Sequence, residues 1–155
     1  MQRITRVGLY MEMAQLVSKR STCSSAKVGA VLVKNNRVIA HGYAGAPSGM
    51  PHCLDVGCDL HYSSQDDRNH CLRTVHAEAN VVAFAAREGI ATAGATMYCT
   101  HRPCGTCAKL LINAGIVRVV YLYPYGSEDG LSLLCRAGVI VQSFQHALEE
   151  ESESQ

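Results

Sequence analysis

The sequence lacks the features that mark a membrane protein or a strong binder of nucleic acid. It has no apolar run long enough to cross a bilayer. Its net charge is only +1, which gives little attraction for a phosphate backbone. It has no tryptophan, two phenylalanines and no basic, aromatic-rich tail of the kind that binds single-stranded nucleic acid. We therefore expect no membrane partner, and a small ligand in preference to a polynucleotide.

The N-terminal segment also lacks the continuous apolar core of a signal peptide. Charged side chains interrupt it at Arg3, Arg6, Glu12, Lys19 and Arg20, so a cytoplasmic protein is expected. A length of 155 residues suits one domain with a single core. We assign residues 1–148 to that domain and expect the acidic tail, 149–155, to fray.

Cysteine is abundant for a chain of this size, with eight cysteines accompanied by seven histidines. In a reducing compartment, the two residue types together indicate metal binding rather than disulfides. Cys99 and Cys135 lie in apolar runs away from the other cysteines. We expect these two to be small buried hydrophobic residues.

Hydrophobic periodicity and turn residues predict an α/β fold with a five-stranded mixed sheet and helices on both faces. The predicted helices are 3–20, 74–88, 103–114 and a short one capped by Ser127, and the predicted strands are 28–33, 37–43, 95–100, 117–122 and 139–144. Residues 44–72 show no period and are predicted to be a long insertion loop. A loop of that length is either functional or tied down, and a metal ion could tie it.

Two short motifs carry the chemistry, and each opens a predicted helix. One contains His76 and Glu78, and the other contains Cys104 and Cys107. Three ligands, His76, Cys104 and Cys107, would leave a fourth position on zinc for a water that the ion acidifies. Glu78 is then free to carry protons. Taken alone, the cysteine pair also fits a structural zinc site or a redox pair, but a redox pair leaves His76 and Glu78 without a role.

The chain resembles the cytidine deaminase superfamily, and within it the deoxycytidylate (dCMP) deaminases. The resemblance is carried by residues 20–23, 28–30, 42–45, 52–53, 57–58, 70–80 and 100–104, with Cys107, Tyr121 and Tyr125. It implies a three-layer α-β-α sandwich and hydrolytic attack on C4 of a cytosine base above the zinc, with loss of ammonia. It implies that the Ala77 backbone N–H, Asn80 and Tyr125 contact the substrate. It also implies a homo-oligomer, a hexamer or a dimer, and magnesium with a nucleotide effector, dCTP or dTTP.

The chain departs from the family pattern at two positions. Ala44 stands where the family has an asparagine that recognises nucleotide, and alanine offers no polar group there. Ser25 stands where an arginine would bind phosphate through two hydrogen bonds, and serine cannot do this. Lys27, two residues further on, would supply a charge on the same face of an extended segment.

The remaining cysteines predict a second metal ion. Members of the dCMP branch carry a structural zinc, and a closed site needs four ligands. We assign Cys23, Cys53 and Cys71, with Cys58 or His70 as the fourth ligand; the alternative is that several are reduced thiols.

Four functions remain open from the sequence. The first is deamination of a free nucleotide, dCMP before others. The second is deamination of a modified or non-phosphorylated cytosine or guanine compound, which Ala44 and Ser25 favour. The third, deamination of tRNA, is opposed by the near-zero charge. The fourth, a non-catalytic zinc scaffold, is opposed by Glu78, which such a scaffold does not need.

Overall fold

A five-stranded sheet forms the centre of the computed structural model, which describes residues 3–64 and 68–153. The helices are α1 (Arg6–Ser18), α2 (Cys53–Val56), α3 (Ala77–Arg87), α4 (Gly105–Asn113), α5 (Asp129–Arg136) and α6 (Phe144–Glu153). The strands are β1 (Gly29–Lys34), β2 (Arg37–Tyr43), β3 (Leu60–Ser63), β4 (Arg68–Cys71), β5 (Thr96–His101), β6 (Arg118–Tyr123) and β7 (Ile140–Ser143). None of the described helices combines the length and the apolar character needed to cross a membrane.

The central sheet has the order β2-β1-β5-β6-β7 and is mixed, as predicted. Strand β1 runs antiparallel to β2 and β5, whereas β5, β6 and β7 are parallel. Parallel neighbours need crossover connections, and α4 and α5 provide them. The β1–β2 turn is made by Asn35 and Asn36, both with positive φ (51° and 58°), which asparagine tolerates better than most residues.

Strand β1 shows why the fold has three layers. Its side chains alternate between the two faces of the sheet. Ala30 and Leu32 pack in a core with residues of α3, α4 and α5, while Val31 and Val33 pack in a second core with residues of α1 and α6. The sheet therefore lies between two helical layers, and the predicted α-β-α sandwich is confirmed.

Several predicted boundaries move by a few residues. Helix α1 begins after Thr5, whose hydroxyl accepts a hydrogen bond from the Gly8 N–H at 3.0 Å. Helix α3 begins at Ala77 rather than at 74, because Val75 still pairs with Gly45 as an extended residue. Pro103 lies before the start of α4 rather than inside its first turn. Glu128, not Ser127, is the N-cap residue of α5.

The prediction of an unstructured 44–72 segment is wrong in part. The segment contains the short helix α2 and a hairpin of β3 and β4, which form a sheet of their own. The end pairs of this hairpin are Leu60 with Cys71 and Ser63 with Arg68. All four side chains are at least partly exposed. A surface hairpin without a buried face leaves no apolar alternation in the sequence.

The prediction of a frayed tail is also wrong for residues 149–153, which belong to α6; residues 154 and 155 lie outside the described part. Ala147 is fully buried against α1. The Glu151 carboxylate accepts hydrogen bonds from the backbone N–H groups of Arg6 and Val7, at 3.0 and 2.9 Å. These N–H groups have no partner inside α1, so Glu151 satisfies them and places a negative charge at the positive end of the helix.

Replacing Glu151 with alanine should therefore lower the free energy of unfolding by about 1 kcal/mol, the usual effect of losing a helix cap. Urea denaturation followed by circular dichroism measures the change. Glu153→Ala is the matched control, because Glu153 is an exposed residue of the same helix. Equal stability of the Glu151→Ala and Glu153→Ala variants would contradict the cap.

Candidate active site

The starts of α3 and α4 bring an imidazole and two sulfur atoms together. His76 is the N-cap of α3, and Cys104 is the N-cap of α4, which follows the carboxyl end of β5. The His76 Nδ1 atom lies 3.5 Å from the Sγ atoms of both Cys104 and Cys107. The spacing of Cys104 and Cys107 places both thiols at the first turn of one helix, as the sequence predicts.

The three ligand atoms fit a zinc ion. Tetrahedral zinc with ordinary Zn–N and Zn–S bonds separates a nitrogen from a sulfur by about 3.6 Å. The two observed nitrogen–sulfur distances are both 3.5 Å. Within the part of the chain that the structure describes, this trio is one of two groups with ligand atoms close enough to share an ion.

The cluster stabilises negative charge on sulfur. Hydrogen bonding from Cys107, followed by that from His76, lowers the pKa of Cys104 to about 3. Hydrogen bonding to Cys104 raises the pKa of His76 to about 8. The hydrogen bond to Cys104, together with burial, raises the pKa of Cys107. A thiolate on Cys104 is the form that binds a metal cation.

Glu78 is a buried carboxylic acid beside this cluster. Its side chain lies in the first turn of α3, and the residue is 4% exposed. Burial raises the pKa of Glu78, and the nearby charge of His76 opposes that rise. A carboxyl group with a raised pKa exchanges protons more readily near neutral pH. Cys99, fully buried and close enough for its pKa to feel the Glu78 charge, is the small core residue that was predicted.

A second group of thiols lies in the insertion. The Sγ atoms of Cys53, Cys58 and Cys71 lie within 4.8 Å of one another, and those of Cys53 and Cys71 are 3.6 Å apart. Two sulfurs on one tetrahedral zinc are separated by about 3.8 Å, so this spacing suits a shared ion. The Ser24 hydroxyl lies 2.8 Å from Cys58 Sγ and links the group to the segment before β1.

The predicted ligand set for the second ion differs from this group at two residues. Cys23 is buried and does not belong to the group. His70 is an exposed residue of β4, paired with His61 across the hairpin. Cys58, the alternative fourth ligand, does belong to the group. Cys135 also departs from its prediction, because it is exposed.

The residues predicted to contact substrate lie in different surroundings. Ala44 is buried, and its carbonyl accepts a hydrogen bond from the Ser21 hydroxyl at 2.7 Å. Ser25 and Lys27 are exposed on the segment before β1. Asn80 donates through Nδ2 to the Tyr43 carbonyl at 2.7 Å, which ties α3 to the end of β2.

The other two residues predicted to contact substrate, Ala77 and Tyr125, differ in their exposure to solvent. Ala77, the first residue of α3, is fully buried. Tyr125 is 58% exposed, and its ring packs edge-on against His101.

Sequence reasoning missed three neighbours of Cys104. The Thr100 hydroxyl, which is buried, accepts from the Gly29 N–H at 3.1 Å and lies 2.9 Å from His101 Nδ1. His101 contacts Tyr123 and Tyr125, and burial lowers its pKa. The Arg102 side chain is only 8% exposed. The sequence shows an arginine directly before the metal-binding motif but does not show that its side chain is buried.

The chain matches the family described as the cytidine and deoxycytidylate deaminase zinc-binding region over residues 5–123. It is 40% identical over 150 residues to ComE operon protein 2 of Bacillus subtilis, covering 94% of this chain and 74% of that protein. It is also 40% identical to the deoxycytidylate deaminase of Schizosaccharomyces pombe, covering 87% of this chain but 42% of the yeast protein. The chain thus spans less than half of that longer relative.

Solved structures agree with the fold. The dCMP deaminase of cyanophage S-TIM5, in complex with dCMP and dUMP, is 34% identical, with a TM-score of 0.74. The match covers 87% of this chain and 93% of the phage chain. A tRNA:A34 deaminase is 23% identical with a TM-score of 0.60, which establishes a shared fold only.

The close contact of α5 with the Cys104 segment gives a testable prediction. A Cβ atom on Gly130 would overlap the Pro103 carbonyl oxygen and come within 2.8 Å of the Cys104 carbonyl carbon. Both are backbone atoms that cannot rotate away, so Gly130→Ala should lower the free energy of unfolding by about 2–3 kcal/mol. Thermal or urea unfolding measures this loss.

Gly105→Ala is the matched control, since a Cβ there meets its nearest neighbour at an ordinary 3.8 Å. The control should unfold like the wild type or be slightly more stable, as alanine favours a helix. Equal stability of the Gly130→Ala and Gly105→Ala proteins would show that α5 does not pack closely against the Cys104 backbone.

Proposed function

Because the chain belongs to the cytidine and deoxycytidylate deaminase family, we propose that it hydrolyses the C4 amino group of dCMP, giving dUMP and ammonia. Its relatives include proteins named deoxycytidylate deaminase in yeasts and in phage T4. The observation that carries the proposal is the His76, Cys104 and Cys107 cluster beside a buried Glu78. Three metal ligands with a separate acid suit a catalytic rather than a structural site.

His76, Cys104 and Cys107 would hold the zinc ion. When bound, zinc supplies a Lewis acid that makes water nucleophilic at neutral pH. Glu78 does not bind the metal in this proposal. Its carboxylate accepts the proton of the attacking water, donates it to the ring nitrogen of the base and carries a proton to the departing amine. Burial of Glu78 supports this role, because a raised pKa lets one carboxyl group both accept and return a proton.

The backbone around the cluster would hold the base. Ala77 is the first residue of α3, so its N–H has no acceptor inside the helix and would donate to the base. Asn80, bonded to the Tyr43 carbonyl, would act by keeping β2 against α3. Tyr125 would also contact the substrate.

The substrate phosphate is the less constrained part of the proposal. Ser25 and Lys27 are exposed, and Lys27 would supply the positive charge that Ser25 lacks. The buried methyl group of Ala44 offers no hydrogen bond to a sugar. Ala44 and Ser25 favour a second candidate, a modified or non-phosphorylated cytosine or guanine compound deaminated by the same chemistry.

Four further features belong to the same proposal. Cys53, Cys58 and Cys71 would hold a structural zinc that orders the insertion, with a fourth ligand outside this group. The chain would assemble as a homo-oligomer, a dimer or a hexamer, and would use magnesium with a nucleotide effector. A reducing, cytoplasmic location suits all eight cysteines, which lie in the described part and are free thiols.

Replacing Glu78 with glutamine should lower kcat on dCMP by about 10²- to 10⁴-fold, the usual contribution of an acid–base residue. Zinc content should stay unchanged, because the side chain is not a ligand. Ammonia release and zinc analysis measure the two quantities on the same sample. Glu88→Gln is the control, because Glu88 is an exposed residue directly after the end of α3.

The same assay should include CMP, deoxycytidine, 5-methyl-dCMP, guanine and dCTP, with and without dCTP as effector. The highest kcat/KM is expected for dCMP. A preference for an unphosphorylated compound would replace dCMP by the second candidate, and full activity of Glu78→Gln would defeat the mechanism.

Metal analysis should find two zinc ions per wild-type chain. Cys53→Ala with Cys71→Ala should lose one ion, and Cys104→Ala with Cys107→Ala should lose the other, since two missing ligands abolish binding. Cys135→Ala, which removes an exposed cysteine outside both groups, should retain two. A single ion in the wild type would rule out the structural site.

A further inference from the structure

Arg102 is a buried cation directly before the Pro103–Cys104 peptide, with a side chain that is 8% exposed. We propose that Arg102 is a positioning residue: it holds residues 124–128, the β6–α5 loop, so that Tyr125 forms one wall of the substrate site. The proposal rests on the deaminase function given above. Nothing in the motif requires an arginine at this position, because both zinc ligands of α4 come after it.

The contacts of Arg102 are made almost entirely with the β6–α5 loop and the end of β6. Its backbone N–H donates to the Tyr123 carbonyl at 3.0 Å. Its Nη2 atom donates to the carbonyls of Gly126 at 3.0 Å and Ser127 at 3.4 Å. A guanidinium holds several donors in one rigid plane, so these bonds fix the direction of the loop as well as its distance.

The loop is also packed against the residues that lead into Cys104. The His101 ring lies 5.4 Å from the Tyr123 ring and 5.6 Å from the Tyr125 ring, measured between centroids. Beyond the loop, Gly130 packs on the backbone of Pro103 and Cys104. Both ends of the loop are therefore anchored next to a zinc ligand, and Tyr125 lies between the anchors.

The insertion, residues 44–72, also approaches the β6–α5 loop. Gly126 has a φ of 71°, and the Nη1 atom of Arg68, at the start of β4, lies 3.8 Å from where its Cβ would be. The loop therefore has contacts with both the β3–β4 hairpin and the segment that carries Cys104.

The burial of Arg102 is poorly explained by stability alone. Its ion pair with Glu128 spans 3.6 Å, but the Glu128 side chain is 81% exposed, so water screens the pair. The Arg102 Nε atom is buried and has no hydrogen-bond partner among the described residues, which is unfavourable. The contribution of Arg102 is therefore to the geometry of the loop.

Tyr125 is suited to contact a flat heteroaromatic base. It is 58% exposed, and its edge-on contact with His101 leaves ring surface uncovered. Aromatic rings stack on nucleobases without requiring a particular pattern of hydrogen bonds. Correct placement of this ring would lower KM for a cytosine nucleotide while leaving the proton transfers of Glu78 unaffected.

The test compares Arg102→Met with the wild type on the best substrate of the ammonia-release panel. KM should rise about tenfold or more, with kcat within about threefold, because the loop rather than the reacting centre is displaced. Zinc content should be unchanged and Tm within about 2 °C. Tyr125→Ala should give the same KM, and the double variant should be no worse than either single one, since both changes remove one contact.

Arg87→Met is the matched control, because Arg87 is an exposed arginine of α3 paired with Glu88. An unchanged KM for Arg102→Met would overturn the proposal. So would losses of Tm, zinc and kcat together, which would indicate a purely structural role, or additive effects of Arg102→Met and Tyr125→Ala.

Hydrogen exchange of the peptide covering residues 123–130 gives a second readout that needs no substrate. Amide exchange there should be faster in Arg102→Met than in the wild type or in Arg87→Met. If the wild type deaminates nothing in the panel, the proposed function fails, and this comparison still decides whether Arg102 holds the loop. Equal exchange in all three proteins would overturn the proposal.

Discussion

The structure depends on the meeting of two helix N-termini near the carboxyl end of the central strand, β5. His76 and Cys104 each occupy the residue before a helix, and Cys107 follows one turn later. Neither helix alone can present three ligands on one side of an ion. The chemistry therefore needs α3 and α4 to be held at a fixed distance, and most of the surrounding packing serves that requirement.

Small residues allow this close approach. A Cβ on Gly42 would come within 2.9 Å of the Ala77 carbonyl oxygen, so β2 lies almost in backbone contact with the first turn of α3. Gly130 plays the same part between α5 and the Cys104 segment. Hydrogen bonds complete the arrangement: Asn80 donates to the Tyr43 carbonyl, and Arg102 donates to the Gly126 carbonyl in the β6–α5 loop. The cluster is thus placed by backbone proximity and oriented by a few hydrogen bonds.

Local patterns were enough to predict the five-stranded sheet, the helices α1, α3, α4 and α5, and the His76, Cys104 and Cys107 cluster. Each depends on spacing within one element or on a motif that opens a helix. The features that sequence reasoning missed depend on contacts between distant residues. Glu151 caps a helix that begins 145 residues earlier, which no local pattern records. The grouping of Cys58 rather than Cys23 with Cys53 and Cys71 depends on the path of the insertion, whose exposed hairpin has no apolar alternation.

In the proposed reaction, an oxygen atom from water replaces the amino group of the base. The most direct measurement is mass spectrometry of the product formed from dCMP in water labelled with heavy oxygen. We expect a uracil nucleotide with one labelled oxygen atom, at C4 of the base, for every ammonia released. A product without the label, or no conversion of dCMP by zinc-loaded protein, would contradict it.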